Sequence, residues 1–299
     1  MISRRLETSR PVDLGLTLGP LRRGHRDPTM RVSRDEVWRA TCTPEGPVTT
    51  RITAGADGRL AMQAWGPGAA WALEAFPALV GDTDDDSSFV PLDPVVADLR
   101  RRLGGLRLCR TGAVVEALVP AILEQKVIGA EAWRSYALIV RSLGEPAPGP
   151  GGLYVPPMPE TLARTPSYVF HRFGVERKRA DTIRTACSYA HRLEETTAMP
   201  LADAYSRLRA LPGVGAWTAA EVALIALGDA DAVSVGDYHL PHHVAFALAG
   251  EPRADDARML ELLAPYAGQR GRVIRMISAG SPAPPRFGPR LPLQRIGAL

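Results

Sequence analysis

Two runs of helical periodicity meet at Leu211-Pro212-Gly213-Val214-Gly215, and this junction constrains the chain more than any other stretch. Upstream, Tyr205, Leu208 and Leu211 repeat at the spacing of one helix face; downstream, Ala216 to Leu227 is rich in Ala, Val, Leu and Ile. Pro212, Gly213 and Gly215 stop the first helix and turn the backbone. Both glycines are expected at positive φ, where the turn can approach another backbone closely. The second helix then opens with unpaired N–H groups facing outward. Such a corner suits a phosphate, held by amides and the helix dipole without reading a base. The alternative is a plain helix-helix turn, because Gly-x-Gly alone is a weak signal.

A carboxylate follows. Val233-Ser234-Val235-Gly236-Asp237-Tyr238 places Asp237 about twenty residues beyond Thr218-Ala219. Turn and aspartate together resemble the helix-hairpin-helix superfamily of base-excision DNA glycosylases, and neighbouring residues resemble its alkylbase branch, of the DNA-3-methyladenine glycosylase II type. Ala121-Ile122-Leu123-Glu124-Gln125 resembles the branch's early helix with its glutamine. Lys178-Arg179-Ala180-Asp181-Thr182-Ile183 resembles the helix start that precedes the hairpin. The resemblance spans roughly residues 95 to 280.

The resemblance implies that Asp237 is the catalytic residue. A carboxylate beside the deoxyribose stabilises the oxocarbenium character that develops at C1′ and helps deprotonate the attacking water. As a purely structural residue, Asp237 would cap the helix suggested by Pro241 to Leu248. Trp217 stands where bifunctional members carry a Schiff-base lysine, which implies a hydrolytic, monofunctional enzyme. Its indole would stack on a cationic alkylated base, or else fill core.

Three departures from the family pattern touch the pocket and the wedge. One turn after Trp217 the expected aromatic is Glu221, which either attracts a cationic base or pairs with an arginine such as Arg272. The late-helix aromatic is Gln269. Base flipping needs a side chain wedged into the gap, and after Gln125 the usual apolar residue is Lys126. Val127 or Ile128 would substitute, or Lys126 would contact a phosphate. The implied base pocket is then Trp217, Glu221, Gln125, Tyr238 and Gln269, with Tyr238 against the sugar or in the core. The implied DNA contacts are Leu211, Pro212, Gly213, Val214, Gly215, Lys126, Val127 and Lys178. The resemblance also implies an alkali ion, sodium or potassium, on the carbonyls of Arg209, Leu211 and Val214, and no redox or organic cofactor.

His239, His242 and His243 lie beside Asp237, but no Cys, Glu or distant His completes a zinc pattern. They read as helix-face polar residues or DNA-facing donors. Some superfamily members hold an iron-sulfur cluster with four cysteines after the catalytic region. Here Cys42, Cys109 and Cys187 are the whole set, so such a cluster is excluded. Their wide spacing reads as buried thiols in a reducing compartment.

The 299 residues allow two domains, and 45% hydrophobic with 23% charged residues is an ordinary globular balance. No apolar stretch reaches the ~18 residues of a membrane span, and no signal-type core follows Met1. A cytoplasmic, nucleoid-associated monomer is the expectation. The net charge of +4 and pI near 9.2 favour a polyanion partner, here double-stranded DNA with damaged bases. Only Lys126 and Lys178 are lysines, so arginine carries nearly all the positive charge.

The expected fold is mostly α, a helix-hairpin-helix glycosylase fold preceded by a small antiparallel-sheet domain resembling half of a TATA-binding protein. Alternation at Leu14, Leu16 and Leu18, at Val48, Thr50 and Ile52, and at Leu60, Met62 and Ala64 predicts strands, with Asp57-Gly58 as a hairpin signal. Gly68 to Val80 reads as one amphipathic helix, and the acidic segment 81–88 as a solvated linker, a cation loop being the weaker reading. Helices are expected over 98–103, 114–143, 158–163, 177–193, 201–211, 216–227, 241–248 and 258–277. The domains are expected at 1–92, 93–280 as two helical subdomains, and 281–299 as a flexible basic tail. Within the enzyme class the alternative is a glycosylase for a deaminated or crosslinked base. Outside it, the alternative is a noncatalytic DNA-binding protein that keeps the hairpin as a grip.

Overall fold

Period-two burial along residues 30–65 produces one curtain of strands with a buried inner face. A computed structural model describes residues 1–55 and 58–285; Asp57 of the hairpin signal and residues 286–299 of the expected tail lie outside the described residues. The strands β1 (Ile2–Leu6), β2 (Met30–Val32), β3 (Glu36–Thr43), β4 (Gly46–Ala54) and β5 (Leu60–Trp65) form an antiparallel sheet in the order β1-β5-β4-β3-β2. Val37 faces Ile52 across β3 and β4, and Ile52 faces Met62 across β4 and β5. These three side chains are fully buried in one cluster with Leu14, Leu18 and Phe76.

Leu14 to Leu18 is a short helix, not the expected strand. Asp13 accepts a hydrogen bond from the Leu16 amide and caps it. Leu14 and Leu18 are four apart, a spacing that shares one face in either structure, and both are buried against the sheet. The expected helix over 68–80 is divided into Ala69–Glu74 and Phe76–Leu79, with Pro77 in the first turn of the second piece. On the opposite face of the sheet, Trp38 stacks on Trp65 at 5.6 Å, and glycines of the 146–152 segment close over them.

From Asp93 onward the chain is helical apart from one short antiparallel pair, Glu145–Pro146 with Tyr154–Val155, and two further cores form. One centres on the apolar helix Val114–Glu124 and contains Phe170, Ile183, Leu208 and Val222. The other packs Val96 and Leu99 against Val244, Met259 and Ile277. The run expected as one helix over 258–277 is broken between Asp256–Leu263 and Arg270–Gly280, where Pro265 and Gly268 fall. Among the described residues no helix is long and apolar enough to cross a membrane.

The acidic segment is not a solvated linker. Asp84 receives both ends of the Arg272 guanidinium at 2.8 and 2.5 Å, and the two side chains are only 5% and 3% exposed. Its Oδ2 also accepts from the Leu108 amide at 3.1 Å. Asp86 pairs with Arg10 and lies 3.7 Å from Arg107, while Asp82 accepts from the Ser9 amide. Arginines on the sheet side reach the helical core too: Arg39 meets Glu116 at 2.5 Å and Arg23 meets Glu124 at 3.3 Å. Removing one member of a buried pair strands the other charge. Asp84→Ala should therefore cost about 3–5 kcal/mol in urea unfolding, and the double change Asp84→Leu with Arg272→Met should recover most of it. A loss below about 1 kcal/mol for Asp84→Ala would show that the pair does not hold these segments together.

Candidate active site

The hairpin forms where its sequence is least able to stay helical. Leu201–Arg209 ends before Leu211, whose side chain is buried together with that of Val214, leaving Pro212, Gly213 and Gly215 on the surface. The Val214 amide donates to the Leu211 carbonyl at 3.0 Å and closes the turn. Gly213 has φ +88, and a Cβ there would lie 2.5 Å from Thr182 Oγ1, so the turn requires glycine on two counts. Gly215 departs from expectation: at φ −95 and ψ −171 it is extended, in the cap position before Ala216–Val222. One left-handed residue suffices to reverse the chain, and the residue preceding a helix is normally extended.

The Gln125 amide is bonded to this turn. Its Nε2 donates to the Gly213 carbonyl and to Thr218 Oγ1, both at 2.9 Å, and Gln125 does not line the cavity described below. The expected 114–143 helix is interrupted just after it, between Val114–Glu124 and Gly129–Leu143. Lys126 lies exposed in that break with φ +56, the one positive φ outside glycine among the described residues. Val127 packs against the helical core. Lys178 is exposed in the first turn of Arg177–Ser188, one turn before the Thr182 that abuts Gly213. The hairpin, Lys126 and Lys178 thus belong to one corner of the molecule.

Asp237 is held from both sides. Its Oδ1 accepts from the His239 and Leu240 amides at 2.8 Å each, at the start of Leu240–Ala249, and its Oδ2 accepts from the Trp217 indole at 2.9 Å. The capping role expected of a purely structural Asp237 is thus met, and the same carboxylate also engages the indole. Trp217 packs partly into the helical core, and its polar edge serves Asp237.

Asp237 opens onto a cavity of about 310 Å³ enclosed by segments from both ends of the chain. Glu221, Ser234, His243, Arg23 and Arg275 also line it. The Ser234 hydroxyl donates to Glu221 Oε1, and Oε2 has no hydrogen-bond partner among the described residues. Burial pushes the Glu221 carboxyl up from the ordinary carboxylate range; Ser234 and Arg23 oppose this, while the charges of Glu124 and Asp237 add to it. The expected pairing of Glu221 with Arg272 does not occur, because Asp84 engages that arginine. Gln269, expected in the pocket, instead accepts from Arg272 Nε at 2.7 Å and stays outside the lining. Tyr238 also stays outside: it is 79% exposed, edge-on to His239 at 4.8 Å.

Arg275 and Arg23 are lining residues that the sequence does not mark, while His243, which reads there as a helix-face polar residue or DNA-facing donor, also lines the cavity. Among the described residues Arg275 is in no ion pair, and its one hydrogen bond runs from Nη2 to the Leu16 carbonyl at 3.2 Å. The local signal was slight, a basic residue on the same late helix as Arg272 in an arginine-rich chain. His243 Nε2 is buried without a partner. Cys109 also borders the cavity, its thiol pushed up to about 11 by burial.

This architecture matches solved structures along nearly its whole length. A 3-methyladenine DNA glycosylase from Archaeoglobus fulgidus superposes with a TM-score of 0.79 at 19% identity, covering 92% of this chain and 97% of that one. The fold is that of the helix-hairpin-helix DNA glycosylases. An 8-oxoguanine glycosylase/lyase from Clostridium acetobutylicum, bound to double-stranded DNA with cytosine opposite 8-oxoG, shares the glycosylase fold at a TM-score of 0.70 and 12% identity, over 93% and 96% of the two chains. A Schizosaccharomyces pombe 3-methyladenine DNA glycosylase in complex with abasic DNA gives a TM-score of 0.53 at 16% identity, over 66% of this chain and 96% of that one. No family model and no curated protein matches the sequence.

The two hairpin glycines separate fold from contact. Gly213→Ala should lower unfolding stability by about 2 kcal/mol or more, through strain and the Thr182 clash. Gly215→Ala should change it by less than about 0.5 kcal/mol, since nothing lies within 4 Å of the added carbon. The reverse ranking in thermal unfolding would overturn this account of the turn.

Proposed function

We propose that this chain is a monofunctional DNA glycosylase that flips a damaged purine from duplex DNA and hydrolyses its glycosidic bond. The observation that carries the reading is Asp237, a carboxylate fixed by an indole and two backbone amides at the edge of a base-sized cavity, on the hairpin side of the molecule. The 310 Å³ volume falls at the lower end of ordinary small-molecule sites. Oδ2 accepts one hydrogen bond from protein and retains a lone pair toward the sugar. A carboxylate held this way needs no reorganisation as charge develops at C1′.

The hairpin amides would take a phosphate, Lys126 and Lys178 would add charge beside it, and the Lys126 break would reach into the gap left by the base. Neutral carbonyl oxygens of Arg209, Leu211 and Val214 would suit an alkali ion; Leu211 already accepts from Val214 and has one lone pair to give. An ion there would add positive charge near the phosphate. Alkylated purines such as 3-methyladenine or 7-methylguanine are the substrates the sequence resemblance favours, and the fold shared with the Archaeoglobus fulgidus protein supports that choice. Hydrolysis without strand cleavage follows from Trp217, which has no amine to attack C1′.

With methylated duplex DNA, the wild type should release bases and leave abasic sites in intact strands, and borohydride should trap no covalent adduct. Asp237→Asn should slow release by at least about 10²-fold, and Trp217→Phe by about tenfold through loss of the bond to Oδ2. Base release by Asp237→Asn at the wild-type rate would remove Asp237 from catalysis. Tight DNA binding without release from any lesion would make the chain a binding module instead.

A further inference from the structure

The cavity holds more chemistry than a cationic lesion requires. A methylpurine that already carries positive charge leaves without help, and one carboxylate at C1′ suffices for it. Here a second carboxyl, Glu221, shares the cavity with Asp237. The two differ in how their oxygens are engaged. Asp237 accepts three hydrogen bonds, two on Oδ1 and one on Oδ2. Glu221 has one bond, from Ser234 to Oε1, and its Oε2 is left free in the cavity wall.

The remaining lining points the same way. Arg275 has no hydrogen bond or ion pair to a carboxylate, Glu221 acting on it only through its charge, so with Glu221 protonated a cationic base entering the cavity meets a guanidinium that nothing neutralises. A neutral base offering a carbonyl oxygen or a ring nitrogen would instead accept from it. His243 Nε2, buried and unpartnered, is a second polar atom in this wall. Arg23 and Arg107 also line the cavity, but they are engaged by Glu124 and Asp86.

We propose that Glu221 is a general acid that protonates a neutral purine lesion as it leaves, so that the site accepts uncharged as well as alkylated bases. This rests on the glycosylase reading of the same cavity. The proton on Glu221 Oε2 passes to a ring nitrogen of the purine while the C1′–N9 bond breaks and its electron pair stays with the base. Water adds to C1′, one of its protons goes to Asp237 and on to solvent, and Glu221 takes a proton back from solvent. The net reaction consumes one water and releases the neutral base from an abasic sugar. Burial, which holds the Glu221 carboxyl above its ordinary range, keeps the acid form available nearer neutrality. The charged and titratable groups that face it are Arg23, Glu124, Asp237, His239, His243, Arg107 and Arg275.

The test uses the full chain and two duplexes of one sequence, carrying a single 7-methylguanine or a single hypoxanthine, with single-turnover base release followed from pH 5 to 9. The wild type should release both bases. Its rate on hypoxanthine should fall as pH rises through the Glu221 titration, a limb absent for 7-methylguanine. Glu221→Gln should lose that limb and lose about 10²-fold more rate on hypoxanthine than on 7-methylguanine. Equal losses on the two lesions, a wild-type hypoxanthine profile with no such limb, or release of 7-methylguanine alone would each overturn the proposal. The wild-type profile decides even if the variant folds poorly. Release of neither base would overturn the glycosylase reading, and the proposal with it.

Discussion

The Arg272 guanidinium is buried, and the buried Asp84 carboxylate answers its charge across most of the chain. Arg272 lies on the last described helix and Asp84 on the segment leaving the sheet, so the pair joins the two ends of the fold around the cavity. Arg275 follows within one turn and reaches the cavity wall because that helix is fixed in rotation as well as position. The arginines of the sheet side act alike: Arg39 and Arg23 grip Glu116 and Glu124 on the central apolar helix. The segment between the first two strands is therefore a wall of the candidate site, since its Thr17, Pro20 and Arg23 complete the cavity.

The hairpin and the aspartate form a second unit, connected by short bonds. Gln125 ties the turn to Thr218; Trp217, the residue before it, ties the same helix to Asp237. A displacement of the turn is thus transmitted to the carboxylate through two hydrogen bonds and one turn of helix. Ala216–Val222 continues as a π-helical turn over Ala223–Leu227, ending at Gly228 with φ +70. Such turns widen a helix locally and often accompany functional sites, and this one carries Leu224 and Ile225 in the cavity lining beside Glu221.

What was legible in the sequence was local. The breaker cluster at 211–215, the spacing to Asp237 and the strand alternation at 48–52 and 60–64 each follow from rules that act within a few residues. Several misreadings involve partners far along the chain or patterns with two solutions. Leu14 and Leu18 satisfy both strand and helix spacing, and the burial beneath the sheet chose helix. Asp84 looked solvated among its acidic neighbours because Arg272 is 188 residues away. The break at Lys126 has no proline and no glycine before Gly129, so no breaker marked it. Glu221 was noticed as a departure, but its character depends on burial and on Ser234, and neither is visible in the one-dimensional pattern. The resemblance implies a pocket place for Gln269, and Arg272 holds it outside.

The triple bonding of Asp237 has an evolutionary corollary. The same carboxylate that would meet the sugar also organises the first turn of Leu240–Ala249 and satisfies a partly buried indole. A descendant that abandoned base excision would still fold less well without it, so purifying selection on folding alone would retain the aspartate. Glu221 bears no comparable structural duty, with a single bond from Ser234. Drift at position 221 among related chains is therefore the more sensitive record of whether, and on what bases, this pocket is still under selection to act.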